Sequence, residues 1–246
     1  MLTSPAPSSS TGAPMSTWRV GASPLPIEPD GLGEVEPTPA QLVNRRLPTT
    51  DFLPPPTDGR YHSTVSAVPA AVLARSTWQA ACPVPSSALA YLTMSFRGFD
   101  GRAHTGEMLV NASIATKVTQ VFGALFAEKF PIEEMRVTTK AEQVAPPTGD
   151  GNDTADFVCR PAVGQTNWSS HAYGLAVDVN PFCNPYHKGA EVVPELASAY
   201  LDRNYVRPGM ILPGDATVRA FTAIGWSWGG IWTSPQDLMH FSANGR

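Results

Sequence analysis

Apolar positions along this chain fall into regular spacing only after about residue 57. Residues 89–99 form a dense run of apolar, aromatic and β-branched side chains closed by Gly101, which predicts a strand and a turn. Residues 107–110 predict a second, short strand. Behind Asn111, a good N-cap, Ile114, Val118, Val121, Phe122 and Leu125 recur at helical spacing, and Pro131 stops the run. Residues 135–138 predict a returning strand, and the Pro, Gly and Asp cluster at 146–153 a loop. Two more helices are expected, around 194–201 and over 216–224, the second with Asp215 as cap and Gly225 as stop. Strands and helices mixed without βαβ alternation or internal repeats indicate the α+β class.

The stretch before this pattern is different. Twelve of the 25 prolines precede Thr57, among Ser, Thr, Gly and Ala, with few large apolar side chains. Such a composition buries too little apolar surface to offset its ordering entropy. Residues 1–60 are therefore expected to be a disordered leader or linker, and residues 61–246 the functional domain. Charged residues are 15% of the chain and the net charge is −4, which excludes a nucleic-acid binder working through clustered Lys and Arg. No run reaches the ~18 apolar residues of a membrane-spanning helix, and neither Met1 nor Met15 opens a signal-peptide pattern. Cys82, Cys159 and Cys183 contain no CxxC pair. One disulfide with one free thiol and three reduced core cysteines are both compatible with that count.

Two segments carry chemistry. In the first, residues 169–181, Ala176, Asp178 and Asn180 alternate with Val177 and Val179, so a strand here puts Asp178 on one face and the valines on the other. Gly174 permits a bend that brings His171 back beside Asp178. In the second, Asp237 and His240 stand three apart, so a helical turn would point both the same way. Trp226, Trp228 and Trp232 supply a dry wall there, and Trp228 is a candidate substrate contact. Two imidazoles and a carboxylate leave an open fourth position on Zn²⁺ for water, and the spare acid can take that water's proton.

Ser-x-His-x-x-Gly-x-Ala-x-Asp at 169–178, then Trp-Gly-Gly-x-Trp at 228–232 and Asp-x-x-His-Phe at 237–241, resembles the VanY-type D-alanyl-D-alanine carboxypeptidase family. That family also includes L-alanyl-D-glutamate endopeptidases. The resemblance continues through Gly98 to Gly101, His104 to Glu107, Phe130 to Ile132, Phe157 to Arg160 and Asn184 to Tyr186, so it covers about residues 82–241. It implies a Hedgehog/DD-peptidase-like fold, a small and mainly antiparallel sheet flanked by helices. It also implies zinc held by His171, Asp178 and His240, with Asp237 as general base where many relatives carry Glu. An arginine in the family stabilises the oxyanion or anchors a substrate carboxylate; Arg160 is the candidate here and Arg136 its rival. Ser169 corresponds to a turn-shaping serine that touches substrate.

The implied partner is a peptidoglycan stem peptide, cut at D-Ala-D-Ala or at L-Ala-D-Glu outside the cytoplasm, at the cell wall or by a phage lysin. The sequence carries no oligomeric signal, and a monomer is the default expectation. The other reading is a non-catalytic module on the same scaffold, as in the Hedgehog signalling domain. His104 and Glu107 are read as turn residues, and His62 and His187 as non-ligands. Cys183 with a histidine partner is the remote thiol-peptidase option.

Overall fold

The computed structural model describes residues 15–29, 31–162 and 165–245. In chain order they form α1 (Ala40–Val43), β1 (Ser63–Ala67), α2 (Ala70–Arg75), β2 (Leu89–Arg97), β3 (Ala103–Asn111), α3 (Ala115–Ala127) and α4 (Lys140–Gln143). The second half adds β4 (Ala176–Asp178), β5 (Tyr186–Lys188), β6 (Glu191–Val193), α5 (Ala216–Ala223), β7 (Ser227–Trp228), β8 (Gln236–Asp237) and β9 (His240–Ser242). Three antiparallel three-stranded sheets result, in the orders β1-β2-β3, β4-β9-β7 and β6-β5-β8. The α+β expectation holds.

β2 and β3 are the long pair, in register from Leu89 opposite Asn111 to Arg97 opposite Ala103. Leu92, Met94, Met108 and Val110 are buried there against Val118, Val121, Phe122 and Leu125 of α3, the periodic positions of the sequence. The same core takes in Val177, Val179, Trp228, Leu238 and Phe241. The backbone of the second half is thereby fixed to the rigid first half. Phe241 is fully buried and stacks on Phe221 at 4.0 Å between ring centres, a contact that adds about 0.5–1.5 kcal/mol to simple area burial.

Several local expectations change. Helix α3 begins at Ala115, because Asn111 ends β3 and its Oδ1 accepts bonds from the Ser113 N–H and hydroxyl. Residues 135–138 form no strand; the Met135 carbonyl accepts the Glu107 N–H from outside the sheet. Around 194–201 only a 3-10 turn forms, Ser198–Leu201. Helix α5 matches its expectation, with the Asp215 side chain accepting the Val218 N–H and Gly225 at φ 87° beyond its end.

The largest change concerns the Pro-rich segment. Residues 1–14 lie outside the described residues, but from Met15 onward the segment packs on the domain rather than trailing from it. Leu42 and Leu47 join a second core with Phe99, Phe182, Leu196 and Tyr200. Arg45, 1% exposed, donates two bonds to Glu133, Nε to Oε2 at 2.7 Å and Nη2 to Oε1 at 2.6 Å. Few apolar side chains suffice because the domain supplies the core and the segment adds anchors to it.

Cys82 and Cys159 form a disulfide across a sequence separation of 77, and Cys183 is a free, buried thiol. Removing that crosslink restores loop entropy to the unfolded chain. Cys82→Ala with Cys159→Ala is expected to lower unfolding free energy by about 2–5 kcal/mol, read as a lower urea midpoint than in the oxidised parent.

Candidate active site

His171 sits in a 3-10 turn, Ser170–Tyr173, that opens on Ser169 and closes on Gly174 at φ 66°. Ser169 Oγ accepts the His171 N–H at 3.4 Å and so caps this turn. Gly174 is required twice, for its left-handed backbone and because a Cβ there would lie 2.5 Å from the Asn111 nitrogen. Asp178 ends β4 opposite His240, the first residue of β9. The alternation holds: Val177 and Val179 are fully buried, while Asp178 faces the site. Asp237 and His240 do not share a helical turn. They stand in β8 and β9, strands of two different sheets, because Asp237 pairs with Tyr186 while His240 pairs with Asp178.

The three candidate ligands converge. His171 Nε2 lies 3.2 Å from Asp178 Oδ2 and 3.2 Å from His240 Nδ1, and His240 Nδ1 lies 3.1 Å from Asp178 Oδ1. This is the one group of three or more metal-ligating side chains among the described residues. Nitrogen and oxygen ligands about 2.0–2.1 Å from a tetrahedral ion stand about 3.3–3.4 Å apart, close to the His171–His240 separation, and Asp178 offers a different carboxylate oxygen to each ring. Their chemistry agrees. His171 Nδ1 lies 2.6 Å from the Asp156 carbonyl, a bond that takes the single N–H of a neutral imidazole and leaves Nε2 as a lone pair. That lone pair faces a carboxylate oxygen and a second ring nitrogen, an arrangement that a cation at the centre satisfies.

The charges around the trio are strongly perturbed. Burial alone would raise the Asp178 carboxyl, but the His171 and His240 rings overcome it and hold Asp178 below the ordinary carboxylate range. Burial, then the Asp178 charge, hold the Asp156 carboxyl well above that range. Burial, then Asp178, push Asp237 up to about 7, with His240 and Arg160 opposing. Asp237 Oδ1 is buried with no hydrogen-bond partner among the described residues.

All four residues line one cleft of about 780 Å³, with Arg160, Ser169, Trp168, Tyr186 and Trp232 among its walls. This volume lies in the usual range for a small-molecule or peptide site. Arg160 is the one Lys or Arg among the described lining residues. Its backbone joins the His171 turn, since its carbonyl accepts the Ser169 N–H at 3.2 Å. Arg136, the rival, is absent from this lining; it pairs with Glu134 at 2.9 Å and with Glu142. Trp228 is also absent: it is 4% exposed, its indole N–H bonds the Leu238 carbonyl and its ring stacks on Phe241. The aromatic walls are instead Trp168 and Trp232, the latter tilted against His240 at 5.6 Å.

Tyr186 falls within the Asn184 to Tyr186 stretch of the resemblance, which gives it no role, and the sequence reading singles out neither Trp168 nor Asp156. Tyr186 and Asp156 owe their places to pairings with distant strands, Tyr186 to Asp237 and Ala155 to Asp178. His104 is buried between Asp51 and Asp100, and Glu107 bonds Arg75 and Tyr91, both away from the cleft. Cys183 is buried, and burial pushes its thiol up to about 12, which removes it as a nucleophile.

Residues 163–243 match the family model described as D-alanyl-D-alanine carboxypeptidase. The matched stretch is about a third of the chain and carries His171, Asp178, Asp237 and His240, while Arg160 lies just before it. It supports a metallopeptidase at the level of the family. No curated protein and no solved structure matches the chain.

Proposed function

We propose that this chain is a zinc-dependent carboxypeptidase that removes the terminal D-alanine from peptidoglycan stem peptides. The observation that carries the reading is the convergence, in one cleft, of the His171, Asp178 and His240 donors, the Asp237 carboxylate with its buried Oδ1 and, among the described residues, a single arginine. His171 Nε2, Asp178 and His240 Nδ1 would hold the ion, and the Asp156 carbonyl keeps the His171 ring in the ligating tautomer. When bound, zinc polarises the scissile carbonyl and makes water nucleophilic at neutral pH.

Asp237 accepts the proton of the attacking water and returns it to the departing amine, a role its unsatisfied Oδ1 and its environment suit. The Arg160 guanidinium, a planar fork of donors, binds the free carboxylate of the terminal residue. Trp168 and Trp232 reduce water access around the reacting bond. The disulfide supports action in an oxidising compartment outside the cytoplasm. No helix among the described residues is long and apolar enough to cross a membrane.

Mass spectrometry of a pentapeptide muropeptide incubated with zinc-loaded protein tests the reading. Loss of a single alanine, abolished by a chelator, is expected. Scission after the L-alanine would replace the carboxypeptidase with an endopeptidase, and no scission at all would overturn the enzymatic reading.

A further inference from the structure

The cleft continues past Asp237 along the third sheet. Tyr186 pairs with Asp237 on one side and with Val193 on the other, so these three residues form a row across β8, β5 and β6. Directly paired residues present their side chains on the same face, and all three line the cleft. With strands ~4.8 Å apart, Val193 lies about 10 Å from Asp237. Glu191, two residues from Val193 on the same strand, faces the same side and also lines the cleft. Glu191 and Asp237 both bear on the Tyr186 hydroxyl, which burial and then these two charges hold above its ordinary value.

Leu32 also lines the cleft, and it comes from the Pro-rich segment. Ile27 and Gly33 form a bridge of a small hairpin in which the Glu28 N–H bonds the Leu32 carbonyl at 2.8 Å. The hairpin is pinned to the domain: the Gly33 N–H donates to the buried Glu195 carboxylate at 2.7 Å, and the Leu25 N–H to the Pro147 carbonyl at 2.8 Å. Any Cβ on Gly33 would come within 3.0 Å of both Glu195 and Leu25. Glycine thus permits the close approach of this backbone to Glu195, two residues beyond β6.

We infer that Leu32, Val193, Tyr186 and Glu191 form a subsite for a long aliphatic side chain ending in an ammonium group. Leu32, Val193 and the Tyr186 ring pack its methylenes, and Glu191 pairs with its charge. Lys188 stands opposite Glu191 in register, yet it is exposed and makes no ion pair with it within 4.0 Å among the described residues. This inference rests on the proposed peptidase and names the residue it reads. At ~3.3 Å per extended residue, a span of about 10 Å places that residue two to three positions from the scissile bond. On a stem peptide this is the diamino acid.

The test compares two peptides that end in D-Ala-D-Ala and carry lysine at the third position from the C-terminus, one with a free ε-amine and one acetylated there. The parent enzyme is expected to prefer the free amine by about tenfold in kcat/KM, of the order of one charge-assisted hydrogen bond. Glu191→Gln is expected to abolish that preference. Leu32→Asn is expected to raise KM for both peptides several-fold, with kcat little affected. Zinc content and melting temperature, measured on each variant, separate a lost subsite from a lost fold. Hydrolysis of both peptides with equal efficiency by the parent overturns the subsite and leaves the peptidase standing. If the parent hydrolyses neither, the proposed activity fails instead. The subsite is then read by peptide titration of tryptophan fluorescence, where equal affinity for the two peptides overturns it.

Discussion

Asp237→Asn is expected to lower pentapeptide hydrolysis by about 10²–10⁴-fold, the usual contribution of a positioned acid–base group, without changing metal content. Asparagine preserves the shape of the side chain but cannot take a proton. His171, Asp178 and His240 are expected to keep their mutual distances because the Ser169-capped turn, β4 and β9 carry them, while Asp237 stands in β8. The pH profile provides the second readout. As the proposed base, Asp237 would work only when deprotonated, so kcat/KM is expected to rise with pH as the group ionises. Burial and the Asp178 charge push it up to about 7, and a divalent cation held by Asp178 offsets the second cause. The acid limb is therefore expected below about pH 7 in the parent and absent from the residual activity of Asp237→Asn. Full activity in that variant would remove Asp237 from the chemistry. Loss of metal with loss of activity would make it a structural support.

The second large effect lies far from the cleft. Arg45→Ala is expected to cost about 3–5 kcal/mol of unfolding free energy, because it leaves the Glu133 carboxylate buried without its partner. Arg45 is almost fully buried, its guanidinium lies 4.4 Å from the centre of the Phe182 ring, and Glu133 also accepts a bond from Asn152 at 2.9 Å. Replacing both partners by apolar residues of similar volume, Arg45→Met with Glu133→Leu, is expected to recover most of that loss. Urea denaturation of the parent and the two variants measures both effects. An Arg45→Ala protein as stable as the parent would mean that the Arg45–Glu133 pair contributes nothing to the fold.

Arg45 also marks where sequence reasoning stopped. Composition describes what a segment can bury by itself, and residues 15–60 bury little by themselves. Their order comes from Glu133, Asp150 and Glu195, over 80 residues away, through bonds to Arg45, Trp18 and Gly33. No local period reports such partners.

The strands and helices of the first core were legible because Val118, Val121, Phe122 and Leu125 repeat at the helical spacing and bury one face. The donor trio was legible because each of its motifs is short and stiffened by its own turn or strand, as Gly174 and the Val177–Val179 alternation show. The cleft walls were less so. Trp228 and Trp232 are four residues apart in one motif, yet one stacks in the core and the other faces the site. Which of them did so depended on a 3-10 turn, Gly229–Ile231, that sequence spacing does not specify. Arg160 and Arg136 differ in the same way: both are arginines near the motifs, and only the surrounding carboxylates show that Arg136 is already engaged.

The proposed chemistry depends on a metal held by His171, Asp178 and His240. Elemental analysis of the purified protein, equilibrated with zinc and then freed of excess, tests it most directly. The expected result is one zinc per chain in the parent and none retained in His240→Ala with its fold intact. A folded parent without zinc, or a His240→Ala protein that still holds one ion per chain, would contradict the account.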